Sequence, residues 1–284
     1  MKSTSLSRIL KEPSVLFDEK DHTYKNRLNG ELYTGCTTIA EAWDKSFFLG
    51  PWYAKEMFLE ASARIGEISL ALKDNPDPSA AIKILEQCKG AARRKGDEAK
   101  KNGTQAHDWI GSAIGKKINA KNEVLPRPKN QEAKNAVTAF INWAKGRDIK
   151  WLASEEILSS DEFKTGGKLD ALAVIDGLTY LVDFKTSGQI SSSYLLQCAG
   201  YDIMLREMGL QVMGYMIVRI PKDGNPTETL TVTDKTDMQF FRDTFLKQRE
   251  AHRFYCYMEN KFKDATTRKM KVDAKVEVAQ TQSS

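Results

Sequence analysis

Cysteine, histidine and long apolar runs are all scarce in this chain. The four cysteines, Cys36, Cys88, Cys198 and Cys256, are widely spaced and form no C-x-x-C pair, so a zinc ribbon and a disulfide framework are excluded and reduced structural thiols are expected. No apolar run approaches the roughly 20 residues that span a bilayer, and the opening Met1-Lys2-Ser3-Thr4-Ser5 leads into no apolar signal segment. A cytoplasmic protein with no membrane partner is therefore expected. No G-x-x-x-x-G-K-S/T occurs either, so no P-loop motor is encoded.

Excess charge is also slight. A net charge of +5 and a pI near 8.8 fit a polyanionic partner without identifying one. Basic residues gather at Arg93, Arg94, Lys95 and Lys100, and again from Lys261 through Lys263, Arg268, Lys269 and Lys271. A solvated helix face and a disordered tail account for these two groups.

What the chain does have is length and pattern. Its 284 residues, 41% of them hydrophobic, suffice for the core of one elaborated domain. Short strands are expected at Val15-Leu16-Phe17, His22-Thr23-Tyr24 and Glu31-Leu32-Tyr33, followed by a helix capped by Thr37 or Thr38 and running toward Trp43. Helical periodicity covers 51–87 with a break at Asn75-Pro76-Asp77-Pro78, then 96–117 and 129–145. Beyond Gly146 the period shortens to that of strands, from Ile149 to Leu158 and on through a hairpin. A helix from Ser191 or Ser192 to about Met208, strands at 212–220 and 229–232, and a helix from Asp234 to about Asn260 complete the order. Such an order describes an α/β sandwich with a mixed sheet.

The hairpin holds the most informative residues. Asp176-Gly177 suits a two-residue type I′ turn, whose central positions both need positive φ. With Ile175 facing Leu178, counting outward sets Asp170 opposite Asp183 on one face. Leu181, Asp183 and Lys185 share that face, while Tyr180, Val182 and Phe184 point the other way. Other acidic-x-Lys triplets, among them those at Asp18, Glu98, Glu132, Glu259 and Asp273, stand in polar surroundings. Only Asp183 lies in an apolar strand, where an unpaired charge is expensive. Two facing carboxylates repel, and a divalent cation turns the repulsion into coordination. A third carboxylate is available at Glu155 or Glu156, which period-2 reasoning does not separate. Tyr194, Gln197 and Tyr201 fall on one helix face, and His107 sits in an amphipathic helix.

Taken in order, Gly103-Thr104-Gln105-Ala106-His107, Glu155, Gly167-Lys168-Leu169-Asp170, Asp183-Phe184-Lys185-Thr186-Ser187 and Gln197-Cys198-Ala199-Gly200-Tyr201 resemble the PD-(D/E)xK nuclease superfamily, in its RecB-like exonuclease branch of phage and prophage type. The resemblance implies a restriction-endonuclease-like α/β sandwich, a central mixed sheet flanked by helices. In that reading residues 1–100 are an N-terminal strand and helix extension packed on the core, 101–260 the nuclease core and 261–284 a disordered tail. It implies a Mg²⁺- or Mn²⁺-dependent deoxyribonuclease acting on DNA ends. His107, Glu155, Asp170 and Asp183 would hold or orient the metal; Lys185 would position or deprotonate the attacking water; Gln197 and Tyr201 would order Lys185 or the DNA end. Spacing to Leu158 favours Glu155 over Glu156 within the family pattern. Some relatives carry an iron–sulfur cluster, but the cysteines here do not supply one, so none is expected. The resemblance leaves open a single-strand annealing protein or recombinase as partner, and a ring-like homo-oligomer. A non-catalytic nucleic-acid or recombinase-binding module and an endonuclease of the same superfamily are the alternatives.

Overall fold

The computed structural model of the chain describes residues 11–42, 46–73, 77–119 and 124–281. The expected passage toward Trp43 and the Asn75-Pro76 break lie outside them. Strands β1 (Val15–Asp18), β2 (Thr23–Asn26) and β3 (Leu32–Gly35) form the expected meander. The helix after them, α1 (Cys36–Ala40), differs from expectation. Its N-cap is Gly35 with no side-chain cap, so Thr37 and Thr38 both lie inside the helix and neither caps it; the Thr37 hydroxyl accepts a hydrogen bond from Gln197 Nε2 at 3.1 Å.

Helices α2 (Ser46–Ala63), α3 (Ile65–Lys73), α4 (Ser79–Cys88), α5 (Ala91–Asn119) and α6 (Gln131–Ala144) fill the next stretch. α6 starts where sequence chemistry requires, since Asn130 Oδ1 accepts from Ala133 N at 2.9 Å. The boundary drawn near residue 100 falls inside α5.

The strands that follow are β4 (Ile149–Ser154), β5 (Ile157–Ser160), β6 (Thr165–Lys168), β7 (Ala171–Ile175) and β8 (Leu178–Lys185). The Asp176-Gly177 turn is as read: Ile175 pairs with Leu178, and the central φ angles are 51° and 82°. The surrounding strands are more broken than their periodicity indicates. Glu155, at φ 58°, separates β4 from β5, and Leu169-Asp170 separates β6 from β7. Each break moves the chain from one sheet to another. The expected α/β sandwich of mixed sheet and flanking helices is present, its strands divided between two five-stranded mixed sheets: with β9 (Gly214–Arg219) and β10 (Glu228–Val232), these are ordered β1-β2-β3-β6-β5 and β10-β9-β8-β7-β4.

Parallel pairing occurs at β3 with β6, where Gly35 faces Gly166, and at β8 with β9 (Gly214–Arg219). Between β8 and β9 runs α7 (Ser192–Glu207), which starts where the sequence places it and is N-capped by Ser191. All of 195–205 is buried, so α7 is enclosed around its whole circumference, and its buried polar side chains Gln197 and Asp202 are both hydrogen-bonded. α8 (Lys235–Thr281) follows β10 (Glu228–Val232) and continues as helix beyond Asn260. No described helix is long and apolar enough to cross a membrane.

The β7–β8 sheet separates two cores. One face packs Leu172, Leu181 and Ile217 against α1, α7 and α8, with Tyr201, Met204 and Phe245 at its centre. The other packs Val182 and Phe184 beneath α5 and α6. There Phe140, Trp143, Trp151 and Phe184 make an aromatic cluster, with Phe140 and Phe184 edge to face at 5.3 Å. Period-2 alternation along β8 is thus realised on both faces.

Candidate active site

Asp183 and Lys185 project from β8 on the α7 face, and Lys185 is held from α7. Lys185 Nζ donates to Asp183 Oδ1 at 3.1 Å and to Gln197 Oε1 at 3.0 Å, and lies 4.8 Å from the centre of the Tyr194 ring. Gln197 is fixed in turn: its Nε2 donates to Tyr201 Oη at 2.7 Å, and Tyr201 Oη donates to Lys168 O at 2.9 Å. The chain Lys168–Tyr201–Gln197–Lys185 therefore ties β6, α7 and β8 through one set of hydrogen bonds. Gly167 makes room for it, since a Cβ there would sit 2.5 Å from Tyr201 Cε1. Burial by itself would lower the Lys185 pKa, but the Asp183 and Asp170 carboxylates raise it, so the side chain is an ammonium.

Asp170 lies one residue beyond the last ladder pair, Ala171 with Val182, which places it opposite Asp183 in the register read from the turn. Its Oδ2 accepts from Phe184 N at 2.8 Å, and its Oδ1 is 3.6 Å from His107 Nδ1. His107 reaches it from α5, which approaches closely at Gly103; a Cβ there would sit 2.8 Å from Thr186 Oγ1. The two aspartates respond to burial in opposite ways. Burial pushes Asp183 up to about 6, with the neighbouring Asp170 charge adding to the shift and Lys185 opposing it. Asp170 feels the same burial but is brought below its usual value by His107, Lys185 and the Phe184 amide. His107 moves up: burial alone would lower it, and the Asp170 carboxylate outweighs that.

His107, Asp170, Gln197 and Tyr201 line one cleft of about 670 Å³, together with Glu155, Lys168, Thr37 and Thr186; Lys185 and Asp183 adjoin it through the Gln197 hydrogen bond. Of the two candidate glutamates, Glu155 lines it and Glu156 does not. Glu155 is held at the sheet break by Glu155 N donating to Asp170 O at 3.1 Å, and its carboxylate pairs with Lys168 Nζ at 2.5 Å. Burial raises its pKa despite Lys168. His107, Glu155, Asp170, Gln197 and Tyr201 are thus brought together around the Asp183–Lys185 pair.

Three contributors carried no assigned role in the sequence. Lys168 stands inside the G-x-x-D segment, where a charge in a strand was the available signal. Tyr194 was legible as sharing the face of Gln197 and Tyr201, but not as the ring beneath the Lys185 ammonium. Thr37 comes from 160 residues away in sequence and had no local signal.

Among the described residues, no three His, Cys, Asp or Glu side chains converge closely enough to enclose a metal ion. The donor chemistry nonetheless fits a hard cation. Asp183 Oδ2 is buried and lies 2.9 Å from Lys185 Nζ, yet no donor is aligned to hydrogen-bond it. Mg²⁺ keeps several waters and needs only one or two carboxylates, a requirement that Asp170 and Asp183 meet.

A scan against protein-family models found no match, and a search of curated proteins found none. Among solved structures, an alkaline exonuclease from Laribacter hongkongensis is similar over 54% of this chain and 83% of its own, at 12% identity and a TM-score of 0.28. A candidate exonuclease from Eubacterium rectale is similar over 53% of this chain and 68% of its own, at 13% identity and a TM-score of 0.31. Likenesses this partial say nothing of activity, which has to be argued from the site.

Proposed function

We propose that this chain is a metal-dependent nuclease that hydrolyses phosphodiester bonds at DNA ends. The observation that carries the reading is the facing of Asp170 and Asp183 across β7 and β8, with Lys185 paired to Asp183, beside a cleft that Asp170 and Gln197 line, and with Asp183 Oδ2 buried and without an aligned hydrogen-bond donor. Asp170 and Asp183 would hold Mg²⁺ or Mn²⁺, with Glu155 within reach once released from Lys168 and with His107 orienting Asp170. When bound, such an ion supplies Lewis acidity at the phosphate and a water acidified for attack.

The chain's own groups perform the rest. Lys185, an ammonium between two acceptors, has protons to donate and no free lone pair. We therefore assign it to orienting the attacking water and stabilising charge on the phosphoryl oxygens, rather than to proton abstraction. Gln197 positions Lys185 by accepting one of its protons, and Tyr201 fixes the Gln197 amide. The preference for ends, and a role in phage or prophage recombination, rest on the family resemblance of the His107 and Gln197-to-Tyr201 segments.

Incubation with Mg²⁺ or Mn²⁺ of end-labelled linear single-stranded, linear double-stranded and closed circular DNA tests the proposal. Progressive loss from one end that stops in EDTA and in Lys185→Ala is expected. Cutting of closed circles would reassign the protein as an endonuclease, and no metal-dependent degradation of any DNA would leave a binding module.

A further inference from the structure

One wall of the cleft has no part in the chemistry described above. Phe17 of β1, Tyr24 of β2 and His22 from the turn between them line it beside His107, Asp170 and Gln197. Tyr24 is buried and stacks on Phe17, ring centres 4.8 Å apart and planes 29° from parallel. His22 stands against the same Phe17 at 5.9 Å, tilted by 58°. Going outward from the core, the rings pass from buried Tyr24 through half-buried Phe17 to exposed His22.

The stack is rigidly seated. Tyr24 lies flat on Gly166, where any Cβ would collide with Tyr24 Cγ, so β6 leaves the ring no freedom to retreat. At the outer end the turn is held by Asp18 Oδ1, which accepts from Lys20 N at 2.9 Å and Asp21 N at 3.2 Å. His22 itself is at φ 50°, a left-handed conformation that a side-chain-bearing residue adopts at a cost. The backbone thus holds an imidazole at the mouth of the cleft in a strained conformation. Past Phe17, Glu19, Glu155 and Lys168 the cleft continues into a second recess of about 450 Å³ that also borders Arg27.

We infer that Phe17 and His22 form a stacking step for an unpaired terminal nucleobase, making single-stranded or frayed DNA ends the substrate class. This inference rests on the nuclease reading above. Aromatic rings recognise nucleic acid through the faces of bases, and inside a duplex those faces are covered by the neighbouring pairs. The cleft has the volume of a small-ligand site, within the ~300–1,000 Å³ typical of one, and so admits a strand end but not the paired helix. A base stacked here would place its backbone in the cleft that Asp170, His107 and Gln197 line, beside the Asp183–Lys185 pair. Stacking is indifferent to sequence, because every base has a π face. No base preference is expected at the last position.

The test is binding without turnover. In EDTA, fluorescence anisotropy compares a single-stranded oligonucleotide, labelled away from the end under study, with the same strand ending in an abasic residue, at each end in turn, and with a blunt duplex. The wild type should bind one base-bearing single-stranded end tighter than its abasic counterpart by about fivefold or more, and tighter than the blunt duplex. Phe17→Leu keeps the apolar volume and removes the π face. Together with His22→Ala it should erase the difference between base-bearing and abasic ends while the thermal melt stays within a few degrees of wild type. DNA binding that ignores the terminal base, or a discrimination that survives both substitutions, would overturn the stacking step and leave the nuclease reading intact. No binding to any oligonucleotide would overturn the stacking step, while the nuclease reading stands or falls on the metal-dependent degradation described above.

Discussion

The two sheets of this protein divide its tasks between a dry interior and an open rim. In the β7–β8–β9 sheet, Leu172, Leu181, Val182, Ile217 and Val218 are fully buried, with helices covering both faces. Asp183 and Lys185 stand in that sheet, where the absence of water makes each charge-to-charge contact strong and each unmatched oxygen costly. The sheet of β1, β2, β3, β6 and β5 has a much smaller core of Val15, Tyr24 and Tyr33, and leaves Leu16 and Leu32 more than half exposed. It carries rings and hydrogen bonds rather than buried charge. A site built across both can hold reactive groups rigidly on one side and meet a large, water-borne ligand on the other.

The largest expected effect comes from the buried sheet. Lys185→Ala or Asp183→Asn should lower single-turnover cleavage by about a hundred- to thousandfold or more while circular dichroism shows a folded protein. Retention of activity would place the chemistry elsewhere. Next in size is the support beneath that sheet. Asp202, fully buried, accepts from Arg206 Nε at 3.0 Å, Tyr215 Oη at 2.8 Å and Arg242 Nη1 at 2.6 Å, joining α7, β9 and α8. Asp202→Ala strands these buried donors and should cost about 3–5 kcal/mol in denaturant unfolding.

Adjacent glycines of β6 then set the two sheets against each other directly. Gly166→Ala and Gly167→Ala should each destabilise by about 1–3 kcal/mol through overpacking. The first presses on Tyr24 and the second on Tyr201. Only Gly167→Ala should also lower kcat, because it displaces the hydrogen-bonded chain to Lys185. Equal losses of kcat would mean that the sheets are not separable in function.

The smallest effect is on pH. The Asp161 carboxyl accepts from the Ser14 hydroxyl and from Tyr33 Oη, clamping β1 and β3 to the β5–β6 turn, and those hydrogen bonds hold its pKa below the usual range. A carboxyl depressed on folding adds stability above its unfolded value, roughly 3.9, and loses that contribution as pH falls through the folded value. Amide-exchange protection of β1–β3, corrected for intrinsic rates, should weaken below about pH 4 before that of β7–β9. Asp161→Asn should remove that acid-dependent step.

Legibility followed sequence separation. The Asp176-Gly177 turn, the Ile175–Leu178 register and the two faces of β8 were readable because a tight turn and period-2 alternation determine them within about ten residues. The start of α7 at Ser191 or Ser192 and the joint face of Tyr194, Gln197 and Tyr201 were readable by the same local rules. The division into two sheets was not. It depends on Glu155 taking a positive φ, which its residue type disfavours, and on the parallel pairing of Thr34 with Thr165 across more than a hundred residues. Glu155 and Glu156 were indistinguishable by period because the strand breaks at that point. The cap expected at Thr37 or Thr38 failed because the helix begins earlier, at Cys36 after Gly35, which leaves the Thr37 hydroxyl free to meet Gln197.

The amino-acid sequence by itself determined where two aspartates and a lysine share one face of a hairpin, and that this face is apolar enough to make them significant. Turn chemistry and alternation act over a few residues and need no partner. Only the tertiary structure decided what surrounds them: His107 against Asp170, Gln197 and Tyr194 around Lys185, Lys168 on Glu155, and the Phe17–His22 wall across the cleft. Those contacts join segments of chain far apart in sequence. They exist because burying α7 between the two sheets brings the segments together, a consequence of packing that no local pattern encodes.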